Sequence, residues 1–237
     1  MDRGIYEVAR GMHIRMKNMD MVANNLANVN TTGYKREVPF AEYLSRMENQ
    51  PMKQLSDLSE GSLVKTDDPM NLALSGNAYF MIQTEKGIEL TRNGNFKITN
   101  DGDLVTNDGY KVLTYGGGLN LFDGIMNKDE IHEIKFADNG DIYVNGHVLD
   151  KLMIARVDNQ QFLERDSGAK FFREDQNYVL ANDDEYKVQQ GYLEDSNVNA
   201  LTEMQEMIKI NREFESAQKA VTTLDKMLGQ AKEIGKI

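Results

Sequence analysis

A chain of 237 residues with 40% apolar and 27% charged side chains has enough apolar surface to bury a sizeable core, and its balance is that of a globular protein. It contains no cysteine, which excludes disulfides, thiolate metal centres and a cysteine nucleophile. A net charge of −11 argues against nonspecific nucleic-acid binding, and without a run of 18 apolar residues no membrane insertion is expected.

The opening "MDRGIYEVAR" mixes acid and base before any apolar run, so no cleaved signal peptide is expected. Residues 1–29 are predicted to form a long amphipathic helix. Ile5, Ala9, Met12, Met16, Met19, Ala23 and Leu26 follow at alternating spacings of 4 and 3, a heptad seam. The seam ends in "ANNLANVNTTGYKR", which carries Asn24, Asn25, Asn28 and Asn30. Asparagine competes for backbone hydrogen bonds and weakens a helix, so the cluster has two readings. One is a frayed, solvated helix end running into a Thr-Thr-Gly turn. The other is a set of amides that donate and accept between neighbouring helices and fix their register.

The stretch 37–67 reads as a linker with one helical turn near Tyr43. From 68 to 191, short β-branched runs alternate with Asn-Gly and Asp-Gly turns, as in "GIELTRNGNFKITNDGDLVTNDGYKVL", the chemistry of successive hairpins. Fourteen of the 19 glycines fall between Gly61 and Gly191, which further argues against helix there. A second long helix is predicted from about 198 to 234. Met207, Ile210, Phe214, Ala217, Val221, Leu224, Leu228 and Ala231 alternate at 3 and 4, with Glu203 and Glu206 early and Lys226, Lys232 and Lys236 late, complementing the helix dipole. The fold class expected is α+β: long N- and C-terminal helices (1–36 and 192–237) pairing as a coiled coil, the 37–67 linker, and a central all-β domain (68–191).

Charge separates the same regions. Residues 1–36 carry +3, residues 198–237 carry 0, and the middle carries −14. Eight of the 14 methionines lie in the two arms. Methionine and alanine give looser or smaller burial than leucine or isoleucine, and a lone helix is marginal in water. Such a pair should want neighbours. The candidate assembly interface is therefore Ile5, Ala9, Met12, Met16, Met19 and Leu26 with Ile210, Phe214, Ala217, Val221, Leu224 and Leu228, plus Asn24, Asn25, Asn28, Thr32, Gly33 and Tyr34 at the helix end.

"ANNLANVNTTGYKR" resembles the N-terminal signature of the bacterial flagellar rod and hook axial proteins. "NLALSGNAYFMIQTEKGIELTRNGNF" is similar to the start of their β domain, and "QGYLEDSNVNALTEMQEMI" with "REFESAQKAVTTLDKML" to their C-terminal helix. The likeness covers both termini and the first third of the β domain. It departs at Asn77, Ala78 and Tyr79, where the family reads a glycine-containing stretch, so a different turn is expected there. The resemblance implies a subunit of the rod that crosses the periplasm, with terminal helices forming an inner tube and the β domain an outer layer. It implies as partners other copies of the chain, other rod and hook axial proteins, and the flagellar type III export apparatus, with the MS ring or an outer-ring bushing as further neighbours. Within the family the short 37–67 span and "MDRGIY" look most like the proximal-rod branch. The distal-rod or hook-type branch is the alternative.

No catalytic constellation is readable and no cofactor is expected. His13, His132 and His147 lack metal spacing. "TNDGDL" and "DNGDI" hint at calcium loops but lack the distal glutamate of an EF-hand, and turn chemistry explains them better. A calcium-dependent β adhesion module remains the alternative from another class.

Overall fold

The structure, a computed structural model, describes residues 2–38, 55–122, 133–157, 163–173 and 176–234. The chain divides into two compact units. One is helical and comprises Met1–Ala27, Glu37–Gln50 and Val198–Ile237; the other is β-rich and comprises Asn28–Arg36 and Pro51–Asn197.

In the helical unit, α1 spans Asp2–Ala27 and α2 spans Ala200–Ile234, with the short strand β1 (Glu37–Val38) beside them. Asn199 caps α2: its Oδ1 accepts from the Thr202 N–H at 3.1 Å, and its carbonyl accepts from the Glu203 N–H at 3.0 Å. Glu203 then places an acid in the first turn. The two helices pack together and run antiparallel, since Asn25 reaches Glu203 while Arg15 Nε lies 3.3 Å from Glu213 Oε2.

On α2 the covered line is the apolar one expected. Ile210 is buried, and Met207, Phe214, Ala217, Val221 and Leu224 are half-buried. On α1 it is displaced. The more covered line runs Val8, Gly11, Arg15, Asn18, Val22 and Asn25, one residue before the expected seam. Met12, Met19 and Leu26 are half-buried, whereas Ala9, Met16 and Ala23 are exposed. A glycine, an arginine and two amides on the covered line hide it from a count of apolar letters. The side chains of Ile5 and Leu228 lie outside the described residues, as does the turn expected near Tyr43.

The β unit holds β2 (Leu55–Ser56), β3 (Leu63–Lys65), β4 (Leu72–Ser75), β5 (Ala78–Thr84), β6 (Gly87–Thr91), β7 (Phe96–Ile98), β8 (Leu104–Thr106), β9 (Lys111–Thr114) and β10 (Gly117–Gly118). It continues through β11 (Ile134–Phe136), β12 (Asp141–Val144), β13 (His147–Lys151), β14 (Ile154–Arg156), β15 (Glu164–Arg165), β16 (Lys170–Phe172), β17 (Val179–Leu180), β18 (Lys187–Gln190) and β19 (Tyr192–Glu194). The main sheet runs β15-β16-β6-β5-β9-β8-β7, with β14 also on β5. β11-β12-β13, β18-β4 and β19-β3 form smaller antiparallel sheets.

The expected hairpins are present. β5 and β6 pair from Phe80↔Thr91 to Thr84↔Gly87. β5 itself is buried on both faces, which its unbroken apolar run explains. Phe80 and Ile82 face one core with Leu72, Phe96 and Ile154; Tyr79 and Met81 face a second with Leu90, Ala155 and Phe171. The segment read as linker contributes β2 and β3 instead. The stretches 28–36 and 192–197, read as parts of the helical arms, belong to this unit. Polar bonds rather than apolar periodicity tie them there, as described next.

Candidate functional site

The asparagine-rich helix end divides between the two units. In the helical unit, Asn25 is fully buried. Its Oδ1 accepts from the Glu37 N–H at 2.7 Å and its Nδ2 donates to the Glu37 carbonyl at 2.8 Å, so one side chain pairs like a strand with β1. Nδ2 also lies 3.2 Å from Glu203 Oε2, itself buried on α2. One amide therefore binds α1, β1 and α2 together. Asn24 is exposed.

In the β unit, Asn28 makes the turn that ends the helix signature: its carbonyl accepts from the Thr31 N–H at 3.0 Å and its Oδ1 from Thr31 Oγ1 at 3.1 Å. Thr32 Oγ1 donates to Asn93 Oδ1 at 2.9 Å. Gly33 has φ +68°, and a Cβ there would fall 2.4 Å from the Asn93 backbone nitrogen, so both conformation and space demand glycine. Tyr34 is buried under the Arg165 guanidinium, whose centre lies 4.4 Å from its ring and 5.0 Å from that of Phe171. The surface contact expected of Gly33 and Tyr34 is in this structure an internal one.

The residue after Tyr34 carries the strongest interaction. Lys35 Nζ lies 2.5 Å from Glu194 Oε1, and Arg92 Nη1 lies 3.2 Å from Glu194 Oε2. All three side chains are at most 1% exposed. Two buried cations on one anion leave an excess positive charge, and backbone carbonyls absorb it: Lys35 donates to Ser59 O at 2.6 Å, and Arg92 to Leu74 O at 2.8 Å and to Gly76 O. The Gly61 N–H completes the carboxylate by donating to Oε1 at 2.9 Å. The Glu194 carbonyl accepts from the Gly33 N–H at 2.7 Å. Burial pushes the Lys35 ammonium below the ordinary lysine value, with the attraction of Glu194 acting against it.

Three motifs far apart in sequence, "TTGYKR", "TRNGNF" and "GYLED", thus meet at one ion cluster. Sequence reasoning quoted each motif but passed over Lys35, Arg92 and Glu194. The available signal was a charged residue set close to a glycine and an aromatic in each.

Tyr79 lies beside the cluster, with the Arg92 guanidinium 5.0 Å from its ring centre and Phe171 edge-on at 6.1 Å. Burial pushes its hydroxyl up to about 12. A folded-state pKa above the unfolded value of about 10 means that the unfolded chain ionises first, so the stabilisation is complete below pH ~10 and is lost as pH rises toward about 12. Tyr186, also raised by burial, acts in the same direction. Thermal melts should therefore fall steeply above pH ~10, and Tyr79→Phe should flatten that fall. An unchanged alkaline slope in Tyr79→Phe would assign the effect elsewhere.

Among the described residues no group of three or more acids and histidines is placed to hold a metal. The loops that hinted at calcium are hydrogen-bonded turns: Asn120 Nδ2 reaches Asp101 O at 3.0 Å, and Asn139 Nδ2 reaches Asp141 Oδ2 at 2.8 Å. His13 and His147 are exposed, and His132 lies outside the described residues.

Three family models match the chain. Residues 8–35 match the flagella basal body rod protein model, residues 73–144 the flagellar hook protein FlgE/F/G D1 domain, and residues 189–234 the flagellar basal body rod FlgEFG protein C-terminal region. The chain is 31% identical over 223 residues to the flagellar basal-body rod protein FlgF of Rhizobium meliloti, covering 91% of this chain and 90% of that one. It is 30% identical to FlgF of Caulobacter vibrioides over the full length of both, and 29% identical to the rod protein FlgG of Bacillus subtilis over 95% and 96% of the two chains. The chain belongs to the flagellar basal-body rod protein family, whose members are structural components of the basal body rather than enzymes. Each of the three matched segments contributes one member of the buried ion cluster: Lys35, Arg92 and Glu194.

Proposed function

We propose that this chain is a proximal-rod subunit that polymerises through its terminal helices into the tubular shaft crossing the periplasm. The observation that carries this is the doubled surface of α1. One line faces inward, while the methionine seam one residue further on leaves Met16 48% exposed and Met12 and Met19 half-covered. A helix with two adjacent seams is built to sit between two partners. The first partner is α2, in a coiled coil supported by the alternating spacing of 3 and 4 on both helices. The second is a neighbouring axial subunit, either another copy or another rod or hook protein.

The interface residues assigned to that contact are Ile5, Ala9, Met12, Met16, Met19 and Leu26 on α1, with Phe214, Val221, Leu224 and Leu228 on α2. Gly33, Tyr34 and Asn25 contribute indirectly by fixing each unit internally. Similarity to two FlgF proteins supports the proximal position; the FlgG likeness makes the distal rod the second reading. The export apparatus, the MS ring and an outer-ring bushing are the further partners this role requires.

Met16→Asp with Met19→Asp places charge on the outward seam. Cells carrying it should lose motility and lack complete rods, while the purified chain keeps its melting temperature within a few degrees. Normal rods in motile cells would overturn the role.

A further inference from the structure

Three Asn-Gly pairs occur in the chain: Asn93-Gly94, Asn139-Gly140 and Asn145-Gly146. Such a pair carries a latent reaction. With no side chain on the glycine to obstruct it, the glycine nitrogen can reach the asparagine Cγ, and an intramolecular attack needs no second reactant to be brought into place. The fold treats the three pairs differently.

Asn93 is held on both sides. Its Oδ1 accepts from Thr32 Oγ1 at 2.9 Å and from the Asn95 N–H at 3.0 Å. Gly94 is packed so closely that a Cβ there would fall 1.6 Å from the Leu72 carbonyl oxygen, and its own carbonyl accepts from the Leu72 N–H at 3.0 Å. Asn139 donates to Asp141 Oδ2 at 2.8 Å, and the nitrogen that would attack it is engaged, since the buried Gly140 donates to Ala137 O at 2.9 Å. Two Asp-Gly turns are closed in the same way: Gly102 N–H donates to Thr99 O at 3.0 Å and Gly109 N–H to Thr106 O at 2.9 Å. Attack at any of these must first break a bond that the folded unit makes.

Asn145-Gly146 is the two-residue tip of the β12–β13 hairpin. Both residues have positive φ, +50° and +83°, the backbone of a type I′ turn joining Val144 to His147. Asn145, Gly146, His147 and Val148 are all exposed, so the tip opens by a local motion that uncovers no core. The Glu133 N–H donates to Asn145 Oδ1 at 3.2 Å. That bond draws electrons from Cγ and stabilises the negative charge the oxygen gains during attack.

We infer that Asn145 is a site of spontaneous deamidation. The Gly146 nitrogen bonds to Asn145 Cγ and gives its proton to solvent, while the Cγ–Nδ2 bond breaks and the amide nitrogen leaves as ammonia with a proton taken from water. The resulting succinimide adds one water at either carbonyl and opens to aspartate or isoaspartate; nothing is oxidised or reduced. Each product adds a negative charge to a chain already at −11. Isoaspartate also inserts a methylene into the backbone at the tip, which disturbs the match between β12 and β13. The inference stands on the β unit alone and is independent of the rod reading.

The purified full-length chain is aged at mildly alkaline pH, folded in buffer and unfolded in concentrated urea, then digested at acid pH and mapped by mass spectrometry. The folded chain should gain about 1 Da in the peptide containing Asn145, at a rate within roughly tenfold of that in urea. Asn93 and Asn139 should react like Asn145 in urea but about a hundredfold more slowly in the folded chain. Methyl transfer from a labelled donor by an isoaspartyl methyltransferase should confirm isoaspartate in the Asn145 peptide. Asn93 or Asn139 reacting as fast as Asn145 in the folded chain, or Asn145 itself slowed by about a hundredfold on folding, would overturn the assignment. Asn145→Gln, whose longer side chain closes the ring less readily, should remove most of the isoaspartate formed by the folded chain; an unchanged yield would overturn it too.

Discussion

Glu194→Gln is expected to lower the stability of the chain by about 3–5 kcal/mol, a large part of a typical total of roughly 5–15 kcal/mol. The reasoning starts from the charge count at the cluster. Lys35 and Arg92 share one carboxylate, and none of the three side chains meets water. Glutamine keeps the shape and can still accept from the Gly61 N–H, but it removes the carboxylate that balances two buried cations. The remaining carbonyls of Ser59, Leu74 and Gly76 offer partial negative charge, which offsets a fraction of the desolvation cost and no more. The loss should not be confined to one place, because Glu194 ties the segment after α1 to the strand before α2.

Urea unfolding of the full chain checks this by a lower midpoint at unchanged slope. A second variant tests the sign of the argument. Replacing all three ions together, Lys35→Met, Arg92→Leu and Glu194→Leu, removes the uncompensated charge and should recover a good part of the lost stability. A Glu194→Gln midpoint within error of the parent chain would mean that the pair is not buried as described.

Why the cluster escaped the sequence while the helices did not follows from how each signal is written. The seam of α2 is legible because Ile210, Phe214, Val221 and Leu224 are apolar and recur at the helical period, so chemistry and geometry agree. The hairpin of β5 and β6 is legible because Glu85, Lys86 and Gly87 interrupt two β-branched runs. Lys35, Arg92 and Glu194 have no period and are ordinarily surface residues. Their burial depends on pairing across 159 and 102 positions of chain, which one sequence does not display.

The covered line of α1 failed to show for a related reason. Gly11, Arg15, Asn18 and Asn25 lie on it, and each reads as polar or as a helix breaker. The visible methionine seam is real as a pattern, but it is the second face of the helix. Boundaries moved for the same cause: residues 28–36 look like the tail of a helix until the bonds of Thr32, Gly33 and Lys35 assign them to the β unit.

Asn25→Leu should cost the helical unit about 3 kcal/mol despite replacing a polar residue by a strong helix former, which alone would favour α1 by only a few tenths of a kcal/mol. Leucine has the branched outline of asparagine, though it is larger, and offers no polar partner to the Glu37 N–H, which gives up a 2.7 Å bond, or to the Glu37 carbonyl, which gives up one of 2.8 Å. Each buried backbone group left without a partner costs roughly 1–3 kcal/mol. Glu203, 1% exposed, loses a donor at the same time. The propensity gain and the added apolar contact are too small to reverse that sum.

Asn25→Asp separates the components. A carboxylate still accepts from the Glu37 N–H, but it faces the Glu37 carbonyl and Glu203 Oε2 with negative charge where the parent has a donor. The variant should therefore be less stable at pH 7 than at pH ~4, where the introduced carboxyl takes up a proton and can donate again. Hydrogen exchange at Glu37 and at the first turn of α2 reads the effect directly: protection should drop in both variants, with the aspartate variant recovering on acidification. Protection unchanged by either substitution would show that Asn25 is a bystander at the junction.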